Sequence, residues 1–262
     1  MSASETGQLN VLLVQADLAW AAPQRNRDHL EALIDTQGGR ADLVVFPETF
    51  TTGFLGDHVS EPEAMNGETM SWMQSLARRH RAVICGSVAL QDGGRRNRFL
   101  WVSPDGPVQF YDKKHLFSFG GEDQQYSAGQ QQVTFTMGDW RIRPQVCYDI
   151  RFPVWCRNRN DYDLLLVVAN WPATRIDAWT ALLRARAIEN QCYVVAVNRT
   201  GEDGKGIRYN GHSVVFEPTG KTLLEPGEPE AVCLVALDLQ QVRKLRRKYP
   251  FQDDADDFTL LA

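Results

Sequence analysis

Glu48, Cys147 and Asn170 interrupt the sequence in the same way, each a polar or ionisable residue directly behind a strand-like run. Glu48 follows Leu43-Val44-Val45-Phe46-Pro47, Cys147 follows residues 142–146, and Asn170 follows residues 164–169. Such runs read as buried strands, and in α/β sheets ligands bind in the crevice outside the carboxyl ends of strands. A residue so placed sits at a rim, half inside the protein. Lys113 and Lys114 come after a further strand pattern ending at Tyr111 and before a Phe- and Gly-rich loop, residues 117–121.

A thiol attacks a carbonyl once a base takes its proton, and a carboxyl group serves as that base when burial raises its pKa. The tetrahedral intermediate then needs a donor at its oxygen, which a fixed ammonium and a backbone N–H supply. Cys147, Glu48 and Lys113, with Glu122 in a nearby loop, therefore make up the inventory for hydrolysing an amide. Taken singly, each has an ordinary reading: Glu48 as a salt-bridged loop residue, Cys147 as a small core hydrophobe, the lysine pair as solvated surface. What departs from the core reading of Cys147 is the polar company of Tyr148, Asp149 and Arg151. Asp149 can open a short helix, and a thiol just before a helix N-terminus has its thiolate favoured by the exposed amides. His115 has no second histidine three to five residues away, and none of the five cysteines sits in a CxxC or CxxH pair, so no metal site is expected.

The elements that must position these residues alternate along the chain. Strands are expected at residues 9–15, 42–46, 82–91, 97–103, 108–111, 133–137, 140–146, 164–169, 193–198, 212–216 and 232–237. Helices are expected at 24–38, stopped by Gly38-Gly39, at 68–80 with Met70, Met73, Leu76 and Ala77 on one face, and at 179–190. Turns fall at Asp92-Gly93-Gly94, 103–107, Gly138-Asp139 and 217–220. Many strands, isolated hairpins and few helices suit a mixed pair of sheets with helices outside better than one doubly wound sheet, hence an α/β single domain spanning 1–262. The basic run at Arg243, Lys244, Arg246, Arg247 and Lys248 reads as one solvated helix side before Pro250. Residues 250–262, with Asp253, Asp254, Asp256 and Asp257, read as an exposed or partner-contacting extension.

At 262 residues the chain buries roughly three quarters of its unfolded surface without disulfide or metal staples. Its 43% apolar and 23% charged residues are those of an ordinary soluble protein, and the net charge of -5 argues against a nucleic-acid binder. Residues 1–10 are polar and the run at 11–14 is too short for a signal core, and no stretch approaches the ~20 apolar residues of a membrane span. The five scattered cysteines imply no disulfide framework, so a reducing cytoplasm is expected.

With those residues in view, the chain resembles the nitrilase superfamily of carbon–nitrogen hydrolases along almost its whole length. Three stretches carry the likeness: Val44-Val45-Phe46-Pro47-Glu48-Thr49, Tyr111-Asp112-Lys113-Lys114-His115-Leu116-Phe117, and Val146-Cys147-Tyr148-Asp149-Ile150-Arg151-Phe152-Pro153. Asn170-Trp171-Pro172, Arg184-Ala185-Arg186-Ala187-Ile188-Glu189-Asn190-Gln191 and Gly211-His212-Ser213 add to it. The resemblance implies an α-β-β-α sandwich, a homodimer or larger homo-oligomer, no cofactor, and Glu48, Lys113 and Cys147 as catalytic residues with the Tyr148 N–H at the oxyanion. It maps the lysine to Lys113, Asp112 standing where the family usually has arginine, and it maps a second glutamate, which orients the lysine and substrate, to Glu122.

Within the superfamily the likeness is greatest to ω-amidases acting on 2-oxoglutaramate. A hydrolase of N-carbamoyl compounds or other short amides is the nearest alternative, and a silent binding protein on the same fold the alternative of another class. For an acidic substrate the expected pocket is aromatic, with Phe117, Phe119, Tyr126 and Trp171. An arginine fork for the carboxylate would come from Arg151, Arg175 or Arg199, with Arg175 preferred and Arg151 favoured as a structural salt bridge.

Overall fold

The computed structural model describes residues 7–37, 40–56 and 62–260. In chain order the elements are β1 (Gln8–Gln15), α1 (Pro23–Asp35), β2 (Leu43–Val45), β3 (Glu63–Ala64), α2 (Glu68–His80), β4 (Val83–Gln91), β5 (Arg95–Val102) and β6 (Gln109–Asp112). There follow α3 (Glu122–Gln125), β7 (Phe135–Met137), β8 (Trp140–Val146), α4 (Pro153–Cys156), β9 (Leu164–Ala169), α5 (Ile176–Asn190) and β10 (Tyr193–Asn198). The chain continues through β11 (Thr200–Glu202), β12 (Arg208–Asn210), β13 (Val214–Phe216), β14 (Thr222–Leu224), β15 (Ala231–Asp238) and α6 (Leu239–Lys248).

Two mixed sheets result. The first runs β15-β1-β2-β4-β5-β6, with β3 beside β4, and the second runs β14-β13-β10-β9-β8-β7. Side chains alternate along each strand, and that alternation builds the layers. Val11, Leu13, Val45, Cys85 and Trp101 of the first sheet meet Ile142, Val146, Leu166, Val168 and Val195 of the second in one buried core. Their neighbours Leu12, Val44, Ile84 and Leu100 turn the other way, onto Leu30 and Ile34 of α1 and Met73 and Leu76 of α2. Leu165, Val167 and Val194 likewise turn outward onto Trp179, Leu183 and Ala187 of α5. The order is helix, sheet, sheet, helix, the four-layer α-β-β-α sandwich. Each large apolar side chain so buried contributes about 1.5–3 kcal/mol before chain entropy is counted.

Local chemistry explains where the helices start and stop. Pro23 occupies the first turn of α1, where a missing N–H costs nothing. Helix α2 carries Glu68 in its first turn and Arg78, Arg79 and His80 in its last, each sign opposing the helix dipole. Asp238 caps α6 by accepting from the Gln240 N–H at 2.8 Å.

The structure corrects several expectations. Helix α5 begins at Ile176, a turn before residue 179. Strand β13 begins at Val214 because His212 has φ +54° and sends its N–H to Gly227 O, away from any ladder. Helix α1 ends at Asp35, and the Gly38-Gly39 stop lies outside the described residues. The β11–β12 ribbon was not anticipated. The basic run is not one solvated face: Arg246 donates to Tyr162 O and Gln191 O and pairs with Asp163 at 3.0 Å. Among the described residues no helix is long and apolar enough to cross a membrane.

Candidate active site

Parallel pairing brings the chemical residues to one edge. Val146 of β8 pairs with Val168 of β9, and Ala169 of β9 with Asn198 of β10, so Cys147 and Asn170 leave the second sheet side by side. From the first sheet, Glu48 leaves β2 through Phe46 and Pro47, and Lys113 leaves β6, its N–H bonded to Asn97 O on β5 at 3.0 Å. Glycine permits two close approaches here. A Cβ on Gly86 of β4 would stand 2.7 Å from the Phe50 ring and 2.9 Å from Phe46 Cβ, so the loop holding Glu48 can lie flat on the sheet. A Cβ on Gly129 would lie 2.0 Å from Asp112 O, beside the lysine strand end.

Glu48, Lys113 and Glu122 are each 0–1% exposed, so their charges must be satisfied by one another. Lys113 Nζ donates to Glu48 Oε1 at 2.9 Å and to Glu122 Oε1 and Oε2 at 3.1 and 2.8 Å. Asn97 Nδ2 bridges the same two glutamates, 2.9 Å from each. Glu48 Oε2 accepts the Asn170 N–H at 2.8 Å, and Glu122 Oε2 accepts the Phe117 N–H at 2.7 Å. Burial alone would pull the Lys113 ammonium down, but Glu122 and Glu48 more than reverse this and hold its pKa well above the usual lysine range. Lys113 is thus a fixed cation.

Cys147 is half-buried, borders the same cavity as Glu48 and Lys113, and has φ +45°. This left-handed conformation, costly for a side chain other than glycine, turns the chain sharply from β8 into the 3-10 turn Cys147–Arg151. Thr49, directly after Glu48, shares the left-handed region at φ +39° and is held there by Ser87 Oγ, which accepts its N–H at 2.9 Å. Burial pushes the Cys147 thiol well above its usual pKa, Glu48 pushes it further, and Lys113 offsets them only in part. The resting sulfur is a neutral thiol. The exposed amides that favour a thiolate at this position are outweighed by burial and two neighbouring glutamates.

The cavity holds about 510 Å³. Phe54, Phe117, Tyr148 and Trp171 form its aromatic wall, and Arg151, Arg175, Lys205 and Arg208 bring positive charge to it.

The carbon–nitrogen hydrolase family profile matches residues 10–247. The omega-amidase YafV of Escherichia coli K12 is 45% identical over 254 residues, 96% of this chain and 98% of that protein. The chain belongs to the carbon–nitrogen hydrolase family. The 2-oxoglutaramate amidase of Bacillus subtilis is 33% identical, covering 92% of this chain and 95% of its own. Among solved structures, the CN-hydrolase superfamily protein XC1258 of Xanthomonas campestris, with an arsenic adduct in its active site, superposes with a TM-score of 0.94 at 45% identity. It covers 97% of this chain and 99% of its own. Nit3 of Saccharomyces cerevisiae, a nitrilase superfamily member at 24% identity and TM-score 0.83, shares the fold.

In this carbon–nitrogen hydrolase the other anticipated residues fall into two groups. Tyr148 borders the cavity, and its N–H, in the first turn of the 3-10 helix, has no partner within that helix. Trp171 borders it with its indole N–H bonded to Arg175 O at 2.8 Å, and Arg175 lies over the Phe117 ring at 5.3 Å. Phe119 stands at the mouth, 90% exposed. Tyr126, by contrast, is not among the residues bordering the cavity, although Glu122, after burial, helps push its phenol up to about 12. Arg151 has no ion pair among the described residues; its guanidinium lies over Trp171 at 4.7 Å in the cavity wall, which overturns the salt-bridge expectation. Arg199 is fully buried away from the cavity, donating to Leu18 O and Thr200 O, and is a structural post for the β11–β12 ribbon. His115 bonds Asp149. Asp112, in place of the usual arginine, takes a two-pronged ion pair from Arg98 at 2.7 and 2.9 Å, so the substitution is absorbed by local packing.

The sequence reading passed over Asn97 and the ribbon residues Asp203, Lys205, Arg208 and Tyr209. Asp203 accepts the Tyr209 hydroxyl at 2.9 Å and the Lys205 and Ile207 N–H groups, shaping the ribbon tip into a cavity wall. Gly204 and Gly206 were the available signal for that turn.

Proposed function

We propose that this chain is a cysteine-dependent ω-amidase hydrolysing the terminal amide of a small dicarboxylate monoamide of the 2-oxoglutaramate type to acid and ammonia. The supporting observation is that Cys147, Glu48 and Lys113 border one cavity whose wall also carries the Arg151 and Arg175 guanidiniums. The omega-amidase and 2-oxoglutaramate amidase relatives point to the same substrate class.

In this reading the neutral thiol loses its proton to Glu48 as sulfur attacks the amide carbon, because a thiolate formed in advance would face two glutamates. Lys113 and the Tyr148 N–H receive the oxyanion, donors of a kind worth about 2.7–4 kcal/mol each. Glu48 returns the proton to the departing ammonia, leaving a thioester on Cys147. Water then attacks the thioester, giving its proton to Glu48; the C–S bond breaks, Glu48 passes that proton to sulfur, and the acid leaves as the thiol is restored. Glu122 holds Lys113 in place and closes the loop at Phe117. Arg175 takes the substrate carboxylate from the wall.

The test is ammonia release from 2-oxoglutaramate, succinamate, glutamine and N-carbamoyl amino acids by wild type and Cys147→Ala. Turnover of the first two, abolished in a folded Cys147→Ala, supports the proposal. Preference for N-carbamoyl compounds, or no turnover of any, overturns it.

A further inference from the structure

Behind the cavity lies a buried polar cluster that the reaction does not consume. Asp149 is 0% exposed and each of its oxygens accepts two hydrogen bonds. Oδ1 takes the His115 N–H at 2.9 Å and His115 Nδ1 at 2.8 Å. Oδ2 takes the Tyr111 hydroxyl at 2.8 Å and the Val146 N–H at 3.1 Å. All four donors flank the proposed catalytic residues. Tyr111 and His115 stand two residues either side of Lys113, and Val146 and Asp149 bracket Cys147.

Resting on the assignment of Lys113 and Cys147 above, we propose that Asp149 is a positioning residue that sets the Lys113-bearing loop of the first sheet in register with the Cys147-bearing turn of the second. The two loops leave different sheets, and nothing in either sheet's own ladder fixes the gap between them. One side chain bonded to both does. Its bond to the Val146 N–H also helps hold the backbone where it turns into the left-handed conformation at Cys147.

The surroundings keep the clamp rigid. Tyr111 oxygen accepts the Trp155 indole N–H at 3.0 Å and the Lys114 N–H at 3.3 Å, so its own proton is directed to Asp149. Burial, then Asp149, push the Tyr111 phenol well above its usual pKa, so it remains a donor. The His115 ring stacks on Phe152 with centroids 3.8 Å apart and planes 10° from parallel. Asparagine in place of aspartate offers an oxygen to one pair of donors and an NH2 group to the other. Either way a fixed backbone N–H, His115 or Val146, meets a donor.

The experiment compares wild type with Asp149→Asn and with the double variant Tyr111→Phe/His115→Phe, which removes two donors and leaves the carboxyl group. Ammonia release is measured well below each melting temperature. A misplacement of about 1 Å can cost 10²-fold, so kcat should fall roughly 10–100-fold in Asp149→Asn, with KM within about threefold. The double variant should lose kcat in the same direction, by less. The Cys147 alkylation midpoint should also move to higher pH, because Lys113 is less well placed to offset the glutamates. A purely structural role predicts a lowered melting temperature with unchanged kcat per folded molecule. Folded Asp149→Asn with kcat within twofold of wild type overturns the proposal. If Asp149→Asn does not fold, the double variant decides on the same criterion. Failure of the functional reading is separate, since it shows in the wild type or in Cys147→Ala.

Discussion

Replacing Lys113 by methionine is the sharpest perturbation of this site, because it keeps the buried volume and removes only the charge and three donors. Among the described residues Lys113 Nζ is the one ammonium placed between Glu48 and Glu122, and without it the two glutamates share only Asn97 Nδ2. Removing one partner of a buried ion pair typically costs about 3–5 kcal/mol. For a chain of this size that lowers Tm by roughly 6–20 °C. Losing the proposed oxyanion donor takes another 2.7–4 kcal/mol or so from the transition state, about 10²–10³ in kcat. KM should barely move, since Arg175, the proposed carboxylate partner, stands elsewhere on the wall. Because the Lys113 pKa is raised on folding, its stabilisation is complete below about pH 10.4 and lost only as pH climbs through the higher folded value. The part of the deficit that comes from the Lys113 charge should accordingly be present throughout pH 7 to 9. Ammonia release below the variant's Tm, with thermal melts across that range, tests both parts. A kcat within threefold of wild type, or an unchanged Tm, refutes the reasoning.

Three other outcomes are expected. Iodoacetamide should label Cys147 ahead of Cys85, Cys156 and Cys192, because it borders the cavity while they are buried, and its rate should still rise beyond the ordinary thiol value of 9.0; a plateau by pH 8 contradicts this. Gly129→Ala should cost about 1–3 kcal/mol, because its Cβ meets the Asp112 carbonyl and displaces the lysine strand end; denaturant melts read this directly, and wild-type stability counts against it. Arg175→Ala should raise KM for 2-oxoglutaramate at least tenfold while leaving kcat within about threefold, and an unchanged KM removes Arg175 from the substrate site.

Much of the site was legible because its residues stand at strand ends, where an apolar run stops at a polar side chain. Glu48 and Asn170 announce themselves that way, and the run at Leu164–Ala169 has its observed bounds, whereas Cys147 follows the mixed run of residues 142–146 and stands out by the polar Tyr148, Asp149 and Arg151 after it. The face of α2 was equally plain, since helical spacing puts Met70, Met73, Leu76 and Ala77 on one side. Asn97 could not be seen, because it lies inside a strand and acquires its role only from glutamates 49 and 25 positions away. Arg151 was misjudged because a partner for an arginine is a property of the packed structure. Here the partner is the Trp171 ring, twenty positions on. The β11–β12 ribbon was hidden since its three-residue strands carry no alternation, and its tip is shaped by the single side chain of Asp203.

Glu48 and Lys113 hang from one sheet and Cys147 and Asn170 from the other, so the distance across which the proposed proton transfer runs is set by how thickly the sheets are padded between them. That makes the packed interior a gauge for the reaction. Trimming a side chain such as Val45 or Leu166, which contacts no substrate, should let the halves settle closer or tilt and so detune turnover from a distance. Variants selected for faster or slower catalysis can therefore arise among interior valines and leucines as readily as around the cavity.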